Sequence, residues 1–393
     1  MGIKILVTYH YPDGINGISN ISSKHLALFF SKGVSIKDWY LSGILEREIQ
    51  LYIELLNQGW SVSFVTYGDK SDLNFKKNLK GIQIHCNYYG LSPKWYELLI
   101  FFIHRKVLKK CHLIKTNQMH GAEIALTAAE KFKKPLVNRM GYLLTDAVER
   151  LPEFQNFDLD KINKMQNDVF NKANKIIVTT QLIFNRIKSN YNSLGNKLSI
   201  IPNFVDIKLF SPTNTDQKYD IIFVGRISEQ KNLGSLLKAL KGSKFKILVI
   251  GNGILKNNLL DEYGSNTNIK WLDAIPNYQI PMYFNQSKLF ILPSFYEGHP
   301  KILIEAMSCG MVVLASNVEG NKEIIQDGIN GFLCEPSAKN IEKRINEIFI
   351  YAEDQLKSIK IAAREYVVER FSLEKIIDLE LKLYESVLNE STT

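Results

Sequence analysis

The chain has 393 residues, enough for two domains of ordinary size, and its 45% apolar and 23% charged content excludes a disordered protein. No apolar run approaches the roughly 20 residues that span a bilayer. The net charge of +9 is lopsided: residues 1–205 hold 27 Lys/Arg against 16 Asp/Glu while the remainder is slightly acidic, so the first half is expected to meet something anionic.

The N-terminal MGIKILVTYHYPDG lacks a long apolar core followed by a cleavage site, so no signal peptide is expected. Leu6 stands where a myristoylation motif needs Ser or Thr. Cys86, Cys111, Cys309 and Cys334 are too scattered for a metal set and read as reduced thiols of a cytoplasmic protein.

Along the first half, short β-branched runs alternate with helix-length amphipathic stretches, the pattern of βα units and parallel sheets. Strands are expected at 3–9, 60–68, 112–117, 135–140 and 175–180, and a helix over 44–59 that stops at Gly59. Residues 94–110, KWYELLIFFIHRKVLKK, join aromatic and aliphatic residues to a basic cluster. That suits an interfacial helix on an anionic membrane, or equally a buried crossover helix with a basic end. Asp158-Leu-Asp160 has the D-x-D spacing of some metal sites but sits in FQNFDLDKINKMQ, which reads as a capped helix start; no metal is expected. Residues 201–218, rich in Pro, Asn, Thr and Asp, read as a linker. The pattern restarts with strands at 219–226, 245–253, 268–274, 289–294 and 311–317, and the chain ends in an amphipathic helix over 373–388.

The expected fold is α/β, with two Rossmann-like doubly wound domains facing a cleft. The division is 1–202, then 203–372, then a terminal helix 373–393. In such sheets ligands bind at the carboxyl ends of the strands. Three second-half loops qualify: GRISEQK (225–231), GNG (251–253) and SFYEGHPK (294–301). Arg226 and Lys231 suit a diphosphate, or are two solvated cations. Gly251 and Gly253 alone mean only a tight turn. Gly298, His299, Pro300 and Lys301 surround a helix N-terminus with free N–H groups, a ready anion site. Lys301 opposes the helix dipole there, a conflict that a bound phosphate would remove. Glu305 shares a helical face with Lys301 and Ser308. It is either half of an exposed Lys–Glu pair or a partly buried acceptor for ligand hydroxyls.

The residues resemble a known family. Glu297 and Glu305 form an E-x7-E pair within EGHPKILIEAMSCG. With IPNFVD…F.P (Ile201 to Pro212), FVGRISEQKN (223–232) and VEGNKEIIQDGINGFLCEP (318–336), the second half is similar to retaining glycosyltransferases of GT-B fold, family-4 type. The resemblance is close over residues 201 to 370 and looser before them.

The resemblance implies a donor site of Gly225, Arg226, Lys231, Gly251, Gly253, Glu297, Gly298, His299, Pro300, Lys301, Ile302 and Glu305. In it Arg226 and Lys231 hold the diphosphate, Glu297 faces the sugar and Glu305 the ribose. It implies transfer from a nucleotide-diphosphate sugar to a glycan or lipid-linked acceptor, with the leaving phosphate helping to deprotonate the acceptor. No separate cofactor or metal is needed, and the terminal helix packs back on the first domain. Ser42-Gly43 replaces the usual Gly-Gly, after what reads as a loop insertion over 10–41. Where the family often has a His after the strand 135–140, this chain has Met140. His120 in TNQMHGAE is the substitute catalytic candidate, unless it is structural. Gly43, Asn117 and Arg139 are assigned to the acceptor side. Glu323 reads as the cap of the helix that follows Gly320.

The expected role is bacterial surface polysaccharide or glycolipid synthesis, in the cytoplasm and peripheral to the inner face of the cell membrane. Alternatives are a sugar-nucleotide epimerase of the same fold and a basic nucleic-acid-binding protein. The second lacks any recognisable nucleic-acid module, so no nucleic-acid partner is expected.

Overall fold

The computed structural model describes residues 24–145 and 158–391. They form two parallel sheets. The first contains β1 (His25–Phe29), β2 (Ser61–Val65), β3 (Gln83–His85), β4 (Leu113–Thr116), β5 (Leu136–Met140), β6 (Lys175–Val178) and β7 (Leu198–Ile200), ordered β3-β2-β1-β4-β5-β6-β7. The second contains β8 (Tyr219–Val224), β9 (Ile247–Ile250), β10 (Ile269–Leu272), β11 (Ser287–Leu292), β12 (Val312–Ser316) and β13 (Phe332–Cys334), ordered β10-β9-β8-β11-β12-β13. Each sheet packs its core on two sides. The central strands are therefore continuous apolar runs, with β9 and β12 buried throughout.

Nine of the ten expected strands overlap observed ones. The expected strand at 3–9 lies outside the described residues. An inner strand of the first sheet, His25–Phe29, lies inside the stretch 10–41 that reads as an insertion. HLALF does not alternate because it lies between β2 and β4 and is buried on both faces. The three-residue edge strands β3, β7 and β13 are too short to show any period in sequence. The helix expected over 44–59 spans Leu45–Asn57, and Gly59 takes φ +81° just beyond it.

The last helix, Leu373–Glu390, packs on the first domain, where Ile376, Ile377, Tyr384 and Val387 join the core beside β1 and β2. A buried ion pair fastens it: Lys115 of β4 donates to both Glu380 oxygens at 2.8 Å and to the Tyr384 hydroxyl at 2.7 Å. The chain crosses between domains twice, side by side. Val205 donates its N–H to the Phe371 carbonyl at 2.8 Å, and Leu373 donates to that of Val205 at 3.0 Å.

Candidate active site

Both sheets reverse their strand order at one place, between β1 and β4 in the first and between β8 and β11 in the second. Loops leaving the carboxyl ends of those strands diverge there and open a crevice. Arg226 follows β8 and Glu297 follows β11; Gly43 and His120 lie on the loops after β1 and β4. The sequence candidates from both halves thus gather at two switch points.

The donor-side loops are stacked with no room for side chains. A Cβ on Gly251 would fall 1.9 Å from the Gly225 carbonyl oxygen, and one on Gly253 would fall 2.2 Å from that of Ile227. The GNG turn is thus built for backbone approach to the loop that carries Arg226, a meaning its sequence alone lacks. Arg226 is exposed at the mouth of the crevice. Lys231 and Glu297, given separate roles by the resemblance, touch: Lys231 Nζ donates to Glu297 Oε1 at 2.5 Å, and Ser294 Oγ donates to the same oxygen at 2.6 Å.

The helix Lys301–Ser308 rules out one of the two sequence readings of its charges, the exposed Lys–Glu pair, and buries Glu305. Lys301 and Glu305 do not pair with each other. Both reach the first turn of Leu45–Asn57 across the cleft. Lys301 Nζ donates to the two Glu48 oxygens at 2.5 and 2.7 Å. Glu305, with 1% of its side chain exposed, accepts from Arg47 Nη1 at 3.3 Å and Asn277 Nδ2 at 3.2 Å, both on Oε1. Its Oε2 is buried without a partner. Burial raises the Glu305 carboxyl above its ordinary value, against the pull of Arg47 and Asn277. Burial likewise lowers Lys301 to about 8, with Glu48 opposing. Burial opposes the charge on Glu48 too, but Lys301 and Arg47 outweigh it and pull that carboxyl to about 2. The pair is charged at neutral pH. Ser308, on the same helix, is buried and donates to the Phe210 carbonyl.

A second seam joins the first domain to the loop after β11. Arg139 donates to Asn203 Oδ1 at 2.7 Å, and Asn203 donates to the His299 carbonyl at 2.6 Å. The His299 ring is buried against Phe371, and burial, with Arg139 and Lys301 nearby, lowers it to about 3. It is neutral, and its Nδ1 is buried without a partner. Gly298 meets Gly141 so closely that a Cβ would sit 2.5 Å from the Gly141 carbonyl oxygen. Gly141 in turn donates its N–H to Gln118, two residues from His120. His120 is half-buried, and its imidazole is lowered chiefly by that burial, with Lys32 adding to the effect. Asn117 is fixed by its N–H to the Phe29 carbonyl. Gly43, at φ +70°, abuts Ile275, and its carbonyl accepts from Asn277 at 2.8 Å. The acceptor-side residue of the sequence reading therefore touches the second domain.

Some assignments change. Glu323 does not cap its own helix; it ends Glu319–Lys322 and caps Gln181–Asn190 of the first domain, accepting from the N–H groups of Gln181 (2.9 Å) and Leu182 (2.6 Å). Asp158 caps Leu159–Lys172, in agreement with the capped helix start read from its sequence. Pro300 precedes the helix rather than opening it. Residues 94–110 divide into Pro93–Ile103 and Arg105–Lys110. The first buries Tyr96 and Ile100 while Trp95, Leu98, Leu99 and Phe102 stay exposed. One face of that stretch is thus buried in the first domain and the other is exposed. Arg47, Glu48, Asn203, Asn277 and Gly141 were not singled out in sequence. Arg47 carried one usable signal: like Lys301, it is a cation in a first helical turn, against the dipole.

Two Rossmann-like parallel-sheet domains facing a crevice make up the GT-B architecture, and solved structures share it. Sucrose-phosphate synthase from Thermosynechococcus elongatus matches with a TM-score of 0.77 at 19% identity, over 94% of this chain and 100% of that one. Anabaena HepE in complex with UDP and glucose matches with a TM-score of 0.74 at 17% identity, over 92% and 99%. Residues 205–365 match the family described as glycosyl transferases group 1. A curated relative, the Escherichia coli UDP-Gal:alpha-D-GlcNAc-diphosphoundecaprenol alpha-1,3-galactosyltransferase, is 30% identical over 48% of this chain and 54% of its own length. Spore coat protein SA of Bacillus subtilis is 24% identical over 58% and 70%. The chain spans about half the length of the first of these relatives.

Proposed function

We propose that this protein transfers a sugar from a nucleotide-diphosphate sugar to a glycan or lipid-linked acceptor, retaining the anomeric configuration, in surface polysaccharide or glycolipid synthesis. The observation that carries the reading is the convergence at the second switch point of Arg226, the Lys231–Glu297 pair and the buried, half-satisfied Glu305. The E. coli relative, named for UDP-Gal and a diphosphoundecaprenol acceptor, supports the same substrate classes.

In this reading the bond from the anomeric carbon to phosphate oxygen breaks through an oxocarbenium-like state, and its electron pair leaves on the diphosphate. Arg226 and Lys231 neutralise that charge, which is the largest expected term, and the reaction is taken as metal-independent. The acceptor hydroxyl attacks the same face and passes its proton to the leaving phosphate. Glu297 orients Lys231 and lies toward the sugar; Glu305 Oε2 accepts from a ribose hydroxyl. His120 and Arg139 line the acceptor side.

The acceptor-side domain also carries a surface suited to an anionic membrane. Trp95, Leu98, Leu99 and Phe102 follow the i, i+3, i+4, i+7 spacing of one helix face, and exposed Arg105, Lys106, Lys109 and Lys110 follow. No described helix is long and apolar enough to cross a membrane. Peripheral attachment would bring the acceptor side to lipid-linked substrates.

The test is thermal unfolding with UDP, GDP, ADP, dTDP and CMP, for wild type and Glu305→Ala, with transfer assayed for Arg226→Ala. A nucleotide at about 100 times its Kd stabilises by roughly 2.7 kcal/mol. One diphosphate should stabilise wild type but not the variant. Intact transfer in both Glu305→Ala and Arg226→Ala would overturn the proposal.

A further inference from the structure

The first domain contributes one charged group to the donor half's most buried carboxylate. Arg47 and Glu305 have 17% and 1% of their side chains exposed. A carboxylate so deeply buried is costly unless a cation or several donors satisfy it. Lys301, one turn away on the same helix, is engaged by both oxygens of Glu48. That leaves Arg47 and the Asn277 amide for Glu305, and both bond Oε1. Oε2 is left buried and unpartnered.

We propose that Arg47 is a positioning residue for the donor site: across the cleft it holds Glu305 by Oε1, leaving Oε2 for a hydroxyl of the nucleotide. This rests on the reading of Glu305 as the ribose acceptor. Because Arg47 belongs to the opposite domain, the carboxylate is fully prepared only when the domains meet. Tight nucleotide binding and closure are therefore coupled, and the coupling is reciprocal. The neighbouring backbone contact from Asn277 N–H to the Gly43 carbonyl ties the same two segments together.

The charged and titratable groups around Glu305 are Arg47 and Glu48 on the facing helix, and Lys301 and Cys309 on its own. Glu48 is bound to Lys301, and burial holds the Cys309 thiol protonated. Burial already pushes the Glu305 carboxyl upward. Without Arg47 that push meets less opposition, and the ionised form is lost at a higher pH.

The experiment measures the affinity of the stabilising nucleoside diphosphate by calorimetry between pH 6 and 8.5. The proteins are wild type, Arg47→Met, Arg47→Lys, Glu48→Gln and Glu305→Gln, each first checked for a cooperative unfolding transition without nucleotide. Arg47→Met should weaken binding roughly tenfold at pH 7, the low end for a charge-assisted bond, and increasingly as pH falls. Arg47→Lys should recover part of the loss. Glu305→Gln should bind weakly with no such pH dependence. Unchanged affinity in Arg47→Met overturns the inference alone. So does a pH-independent loss matched by Glu48→Gln, which would mean only that closure was disturbed. Full affinity in Glu305→Gln overturns the ribose reading, and this inference with it.

Discussion

Replacing Gly298 by alanine probes whether the two domains must close on the loop after β11. The new Cβ would lie 2.5 Å from the Gly141 carbonyl oxygen of the first domain, about 1 Å short of an ordinary contact. Neither side has slack. Behind Gly298 stands Gly320, where an added Cβ would meet the Gly298 carbonyl oxygen at 2.0 Å. In front, Gly141 is tied through its N–H to Gln118. Relief comes most easily by parting the domains, which stretches the Arg47–Glu305 and Lys301–Glu48 pairs as well. Overpacking of this kind costs about 1–3 kcal/mol, which if carried into the barrier is roughly fivefold to 150-fold slower transfer. Steady-state kinetics and calorimetry on Gly298→Ala should show a lower kcat together with weaker nucleotide binding, since closure and binding are coupled. Gly33→Ala is the control: its added Cβ meets nothing, and its φ of +77° strains only the local turn. Transfer within twofold of wild type in a folded Gly298→Ala protein would refute the argument.

Three further outcomes follow from the described contacts. Glu380→Ala strands the Lys115 ammonium in the core and should destabilise the fold by about 3–5 kcal/mol in chemical denaturation, whereas a surface pair such as Lys208–Glu374 should cost under about 1 kcal/mol. His85 and His104 stack edge to face, and burial holds them down at about 4 and 3. The folded state therefore binds fewer protons than the unfolded one below the ordinary histidine value. Stability is full above about pH 6.5 and is lost as pH falls toward 4, at about 1.4 kcal/mol per pH unit for each proton; urea midpoints against pH should flatten in His104→Gln. Trp95→Ser combined with Phe102→Asp should abolish sedimentation with anionic vesicles and spare nucleotide binding, while unchanged sedimentation would count against the membrane face.

Much of this molecule is legible in its sequence because its strands are short, apolar and separated by helix-length segments. Parallel sheets demand that alternation whatever the packing details. The GR…K loop and the GNG turn are legible for a similar reason, since their spacing places them on loops at strand ends, and the E-x7-E pair runs from such a loop into the helix Lys301–Ser308. The strand His25–Phe29 escaped because four apolar residues after a histidine look alike in a loop and in a doubly covered strand. Glu323 escaped because a cap can serve a helix distant in sequence.

Residue spacing along one chain therefore determined the elements, the two-domain order and the donor loops. Only the tertiary structure decided who pairs with whom across the cleft. Lys301 meets Glu48 and Glu305 meets Arg47 although more than 250 positions separate each pair in sequence. Local rules see a helix dipole or an i,i+4 neighbour. Burial and charge choose among partners that only folding brings within reach.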